Sequence, residues 1–272
     1  VRGRLPYDAA AALALDLRTD DLAFAADAAP ALAVSGAVSL SGRREALVLT
    51  PALRLQREGW PTAQASGRIV QDGAAWRAEA LQLQSARSVL QIDGVLTTTA
   101  DAAPLQLRLQ QFDPALLAPD WPGSLDADLV WTGRYADTGL DGELRIERLQ
   151  GELRGRRVQG QGAAAVVAGV LDHADAVLSS GASTLRLRRD DATAPLQVEL
   201  DAPDLADLWP DWLGRVQASA SLDRDLALQA RLDAVTTPDF AIAQAEVQGR
   251  AGSDSAAPVA MQATLRGLVF GA

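Results

Sequence analysis

Ala103–Gly123, APLQLRLQQFDPALLAPDWPG, returns without a gap as Ala194–Gly214, APLQVELDAPDLADLWPDWLG. The offset is 91 residues throughout, from Leu105 to Leu196 and from Trp121 to Trp212, and 12 of the 21 aligned positions are identical. Leu105, Leu107 and Leu109 alternate with Gln106, Arg108 and Gln110. A strand places those leucines on one face and a helix does not. Asp113-Pro114 then reads as a helix start, because Asp caps free N–H groups and Pro tolerates the first helical position. The second copy runs the same way through Leu196, Val198 and Leu200 to Asp204, so short helical turns are expected near 113–119 and 204–210. Both copies close on P-D-W-x-G: Pro119, Asp120, Trp121 and Gly123, then Pro210, Asp211, Trp212 and Gly214. A repeat of this kind points to an array of modules. The expected organisation is one continuous segment over 1–272, with N-terminal strands in 1–102, a repeat module in 103–193 and a second in 194–272. A weaker third start stands at Ala257-Pro258-Val259.

Hydrophobic residues make up 48 % of the 272, yet only 4 % are aromatic, so the apolar mass is Leu, Val and Ala. The net charge of −10 argues against a nucleic-acid surface. No cysteine is present, which excludes disulfides, thiolate metal sites and cysteine nucleophiles. No window approaches the ~18 consecutive apolar residues of a membrane span. The chain starts at Val1 and reads as a fragment of a longer protein.

Outward from the repeat, alternation persists. Leu13, Leu15 and Leu17 share a face, as do Leu32, Val34, Val38 and Leu40 after an expected turn at Ala29-Pro30. Leu47, Leu49, Leu53 and Leu55 keep the period of two across Pro51, and turns are expected at Glu58–Pro61 and Gln71–Gly73. Leu81, Leu83, Leu90 and Ile92 continue it, then Leu125, Leu129, Leu144 and Ile146. Gly139, Gly142, Gly151, Gly155, Gly160 and Gly162 suggest short strands with frequent turns. Val216–Leu222 and Leu226, Leu228 and Leu232 follow the second repeat around Asp223-Arg224-Asp225. The fold class is therefore all-β, mostly antiparallel, with one buried face. A second sheet, closure of the sheet on itself or a ligand must cover that face. A sandwich and a long curved sheet with an apolar groove both satisfy the pattern.

The LxLxL starts, the D-P-x-L-L and D-L-x-x-L segments at Asp113 and Asp204, and the tryptophan-glycine endings together resemble the TamB family. That family is the inner-membrane component of the translocation and assembly module, within the wider AsmA-like group of bridge proteins. The resemblance implies an elongated, U-shaped sheet, a β-taco, with an open apolar trough that shields phospholipid acyl chains between inner and outer membranes. It further implies the periplasm of a Gram-negative bacterium, an inner-membrane anchor outside this chain, and a TamA-like outer-membrane barrel partner bearing POTRA domains. The residues expected to line the trough are Leu13, Leu15, Leu17, Leu81, Leu83, Leu90, Ile92, Leu105, Leu107, Leu109, Leu125, Leu129, Leu144, Ile146, Leu196, Val198, Leu200, Leu226, Leu228 and Leu232.

Chemical motifs are weak by comparison. His173 is the only histidine, so a triad would have to join it to Ser179, Ser180 or Ser183, and none of these sits in a G-x-S-x-G elbow. Gly160–Ala165 matches G-x-G-x-x-A without the strand-to-helix context a dinucleotide site needs. No catalytic residue, metal or cofactor is expected. The six tryptophans read as packing near turns or as a rim on the trough, and Arg108, Arg145 and Arg186 as solvated residues of the opposite face. The competing functions are a structural spacer for outer-membrane protein assembly that carries no lipid, and a surface solenoid, whose ~20–30-residue coils do not fit the long period.

Overall fold

Alternating Leu and polar residues make each segment a strand with one apolar side, and corners such as Arg154-Gly155, Ala168-Gly169 and Gly181-Ala182 join neighbours. The computed structural model describes residues 2–4, 12–26, 29–43, 45–57, 59–73, 75–96, 104–116, 118–136, 139–223, 225–252 and 259–271. Glu58, Ala103, Leu117, Arg224 and the Ala257-Pro258 start fall outside them. The strands are β1 (Arg2–Arg4), β2 (Leu13–Ala26), β3 (Ala29–Arg43), β4 (Ala46–Arg57), β5 (Ala63–Asp72), β6 (Ala75–Ser85), β7 (Ser88–Leu96) and β8 (Leu105–Phe112). A three-residue 3-10 turn at Pro114–Leu116 precedes β9 (Gly123–Ala136), β10 (Gly139–Leu153), β11 (Arg156–Val167), β12 (Val170–Ser180), β13 (Ser183–Arg189) and β14 (Leu196–Ala202). A second, at Leu205–Asp207, precedes β15 (Leu213–Leu222), β16 (Asp225–Thr236), β17 (Phe240–Gly252) and β18 (Val259–Phe270).

Each strand pairs antiparallel with the next in sequence, from β1–β2 to β17–β18. The result is one curved meander, not closed into a barrel. No second sheet covers it among the described residues, which removes the sandwich alternative. The surface area says the same. A compact protein of 28.5 kDa exposes about 11,000 Å², whereas this chain exposes 17,395 Å². At β18 the sheet thins to an exposed strand, with Val259 and Met261 each 68 % exposed.

Curvature has a local cause. One-residue bulges interrupt β2 at Asp21, β6 at Ala80 and β8 at Gln111, and each of these residues has φ between 50° and 63°. A bulge frees one N–H from the ladder and bends the strand. In all three cases a polar side chain of the following strand accepts that N–H: Ser35 Oγ at 3.1 Å, Asp93 Oδ1 at 2.6 Å and Asp126 Oδ1 at 2.8 Å. The same arrangement recurs at the turn residue Ala168, whose N–H donates to Asp141 Oδ1 at 2.6 Å. Because the extra residue is absorbed at the bulge, Ala78 and Leu81, and likewise Leu109 and Phe112, stay in register with one apolar face.

Two expectations fail here. The glycines of 139–162 do not break the chain into short strands; β10 and β11 run 15 and 12 residues through most of them. Glycine is used for close approach instead. At Gly151 (φ +151°) a Cβ would collide with the Ser124 carbonyl and sit 2.9 Å from Leu125 Cα on β9. Ala29-Pro30 is likewise no turn but the start of β3, where a proline's missing N–H is tolerated. The Gly151→Ala variant is expected to lose about 1–3 kcal/mol in urea unfolding from steric strain. Gly169→Ala, at φ +77° with nothing within 4 Å, is expected to lose only about 1 kcal/mol.

Candidate functional site

The strand registers align apolar residues into unbroken rows across the sheet. One row passes from Leu53 through Ala65, Leu83, Leu90, Leu109, Ala127, Leu149, Gly160, Leu178, Leu185, Leu200, Ala218, Ala230 and Val247 to Ala263. A second passes from Leu81 through Ile92, Leu107, Leu129, Ile146, Gly162, Ala176, Leu187, Val198, Ala220, Leu228 and Gly249 to Met261. Neither row contains a charged residue. At ~4.8 Å per strand the first is about 65 Å long. Flanking rows, Leu105–Trp131–Leu144 on one side and Phe112–Leu125–Gly151 on the other, widen the floor to about 20 Å at ~6.8 Å per row.

All twenty leucine, valine and isoleucine positions singled out from the alternation share this face, as the registers show. Leu13, Leu15 and Leu17 meet Gly42, Leu40 and Val38. Leu196, Leu222, Leu226 and Ala251 form a further short row, and Leu232 stands between Val216 and Ala245. Sequence reasoning left Leu149, Leu153, Val158, Leu178, Leu185 and Leu187 out of the floor. Their signal was present, since Gly160, Gly162, Ala174 and Ala176 alternate in phase with Leu178. Few floor residues are fully buried, and most of the leucines are half-covered. A face held half-covered by curvature and open above is a trough.

The two repeated segments after β8 and β14 build up over the trough. Six strands separate them, about 29 Å along the edge of the sheet. The first insert leans over the β10–β11 turn, where the Arg154 N–H donates to the Pro122 carbonyl at 2.7 Å. The second leans back over the β12–β13 turn. There the Asp207 carboxylate accepts from the Ala182 and Ser183 N–H groups at 2.8 and 3.2 Å, and Ser180 Oγ donates to the Asp207 carbonyl at 2.7 Å. The inserts meet edge to face, with Trp121 and Trp209 rings 5.6 Å apart. Trp209 also stacks on Trp212 at 5.3 Å, and the Arg154 guanidinium lies 5.3 Å from the Trp121 ring and 5.8 Å from the Trp209 ring. Asp113 and Asp204 cap the inserts through the Ala115 and Ala206 N–H groups, both at 3.0 Å. Beneath the second insert Leu205, 1 % exposed, packs on Ala202 and Val235. Between the inserts and the floor lies a cavity of about 190 Å³ lined mainly by Trp121, Leu178, Leu185, Leu200, Leu208 and Trp209.

The opposite face is polar. One depression on it, between Arg186, Glu199, Arg231 and Glu246, is shallow and open. Arg108 and Arg148 bind Asp128 at 3.1 and 2.7 Å, and Arg145 binds Glu143 at 2.9 Å. The Arg108 hydrogen bond, then that of Arg148, holds the Asp128 carboxyl below its ordinary range. A carboxylate with a folded pKa below its unfolded value stabilises the fold above the unfolded value, about 3.9, and loses that contribution as pH falls through the folded one. The stability gap between wild type and Asp128→Asn, read from urea midpoints, is therefore expected to be level above about pH 5 and to shrink between about pH 4 and pH 2. Because both arginines are more than half exposed, solvent screening keeps the gap small.

His173 also belongs to the polar face, with Nδ1 3.4 Å from the Asp190 carbonyl. Ser179 lies six residues along the same strand, about 20 Å away, and Ser180 and Ser183 are on the apolar face holding Asp207. The geometry thus assembles no triad. Gly160–Ala165 sits in the middle of β11, paired on both sides, with no helix to receive a phosphate. Among the described residues no group of three acidic or histidine side chains converges, and no helix is long and apolar enough to cross a membrane.

A family model described as TamB, N-terminal domain, matches residues 6–272. No curated protein and no solved structure matches the chain.

Proposed function

The chain belongs to the TamB family, bridge-like proteins of outer-membrane assembly, and from that premise we propose that its trough shields phospholipid acyl chains crossing the periplasm. The uncharged row of 15 residues from Leu53 to Ala263 carries the reading. Exposing an acyl chain to water costs about 0.8 kcal/mol per CH₂, and a continuous apolar floor lowers that cost at every point along it. An acyl chain is about 15 Å long, half a bilayer core, so the floor is wide enough to take one lying across it and long enough for several in file. Such a floor requires no fixed polar anchor, in keeping with the ion pairs among the described residues, which lie on the opposite face. Family members span the periplasm from an inner-membrane anchor and work with TamA-type partners. In this reading the segment is one length of such a bridge, and partner contacts lie at the ends of the full-length protein.

The test is native mass spectrometry of the full chain purified gently from cells. Phospholipid adducts are expected on the wild type and not on the Leu107→Arg/Val198→Arg variant. A lipid-free wild type from several gentle preparations would overturn the reading in favour of a spacer that carries no lipid.

A further inference from the structure

We propose that the two repeat inserts form a clasp over the trough and that the cavity beneath them is a subsite for a single unbranched alkyl chain. The inference rests on the trough reading and adds a position and a width to it. Leu178, Leu185 and Leu200 belong at once to the cavity wall and to the long apolar row, so the cavity is a roofed stretch of the trough floor. Two residues of the second insert that the repeat does not share complete the roof. Trp209 aligns with Ala118 and Asp207 with Leu116 in the first copy. Only the second insert can therefore both grip the β12–β13 turn and reach Trp121.

Two observations fix the chemistry of the occupant. The two serine hydroxyls and the carboxylate on the apolar side of the wall are already engaged: Ser180 Oγ and Ser183 Oγ donate to Asp207 and Asp204, and the Asp207 carboxylate accepts backbone N–H groups. Leucine and tryptophan side chains make most of the wall, and cavities lined by apolar groups stay dry. The volume of about 190 Å³ is also the size of a short alkyl segment, since a cavity of about 150 Å³ accepts benzene, and about six to eight carbons would fill this one. One chain fits beneath the clasp at a time. Arg154, stacked over Trp121 and Trp209, holds the two inserts together from above through cation–π contact.

The probe is hexadecanoic acid carrying a mid-chain diazirine, photolysed with the full chain and mapped by peptide mass spectrometry. Label is expected on peptides containing Leu178–Leu185 and Leu208–Trp209, and also on the open floor around Leu107 and Leu129. Filling the cavity from the floor with Leu185→Trp, or independently from the insert with Leu208→Phe, is expected to cut cavity label at least tenfold. Floor label should be unchanged, and circular dichroism verifies the fold of each variant. Label on the open floor but not in the cavity of the wild type would overturn the subsite and leave the trough standing, as would cavity label that survives both fillings. Absence of label from the whole apolar face would overturn the trough itself.

Discussion

Leu129→Arg is expected to strip bound phospholipid from the chain while leaving its fold nearly intact. Leu129 stands in the second apolar row between Leu107 and Ile146 and is half-covered. A guanidinium there denies a passing tail contact with about three methylenes, which at ~0.8 kcal/mol each corresponds to roughly a fiftyfold loss of occupancy. Desolvation of the charge adds to that. The same openness protects the fold, because the arginine stem can lie along Leu107 and Ile146 with its head in water, so the stability loss stays below about 1.5 kcal/mol. The adjacent Val130→Arg points to the polar face and is expected to change neither property. Native mass spectrometry gives the occupancy and urea unfolding the stability. If Leu129→Arg unfolds the chain as severely as a core substitution, the floor is packed rather than open.

Leu205→Ala is expected to do the reverse. Leu205 is one of the largest fully buried side chains among the described residues, enclosed by Ala202 and Val235 with Leu208, Trp209, Trp212 and Phe240 around them. Truncation of such a leucine removes transfer energy and leaves a cavity, together about 2–5 kcal/mol. An array in which each strand touches only its neighbours need not unfold in one step. Hydrogen exchange is therefore the sharper measurement. Protection should fall in β14 to β17 and at the tryptophan clasp, and stay unchanged in β3 to β7. A uniform loss along the chain would mean that the sheet is a single cooperative unit.

The difference between these two leucines marks what the sequence made legible. In a meander every strand pairs with its successor, so alternation gives the strands and the apolar face, and Leu107, Leu129 and Val198 fall where their period puts them; the choice of an open groove over a sandwich came from the family resemblance. Three features depended on information that alternation does not carry. Bulges at Asp21, Ala80 and Gln111 shift the apolar phase by one residue, and their partners Ser35, Asp93 and Asp126 are recognisable only once the registers are known. Gly142, Gly151 and Gly160 look like turn formers until a neighbouring backbone is seen to occupy the space of a side chain. The contact of Trp121 with Trp209 joins non-equivalent positions of the repeat across six strands, and only curvature brings them together. The repeat announced two inserts, but not that one would close on the other.

The central claim is that the apolar face, and not the polar one, carries lipid. A photo-crosslinking amino acid placed in cells at Leu107 or Val198 on the floor, and at Arg108 or Glu199 one residue away on the other face, tests it at a resolution of a single strand position. Phospholipid adducts at Leu107 and Val198 with none at Arg108 and Glu199 are the predicted result. Adducts at the polar positions, or equal labelling of both faces, would contradict it.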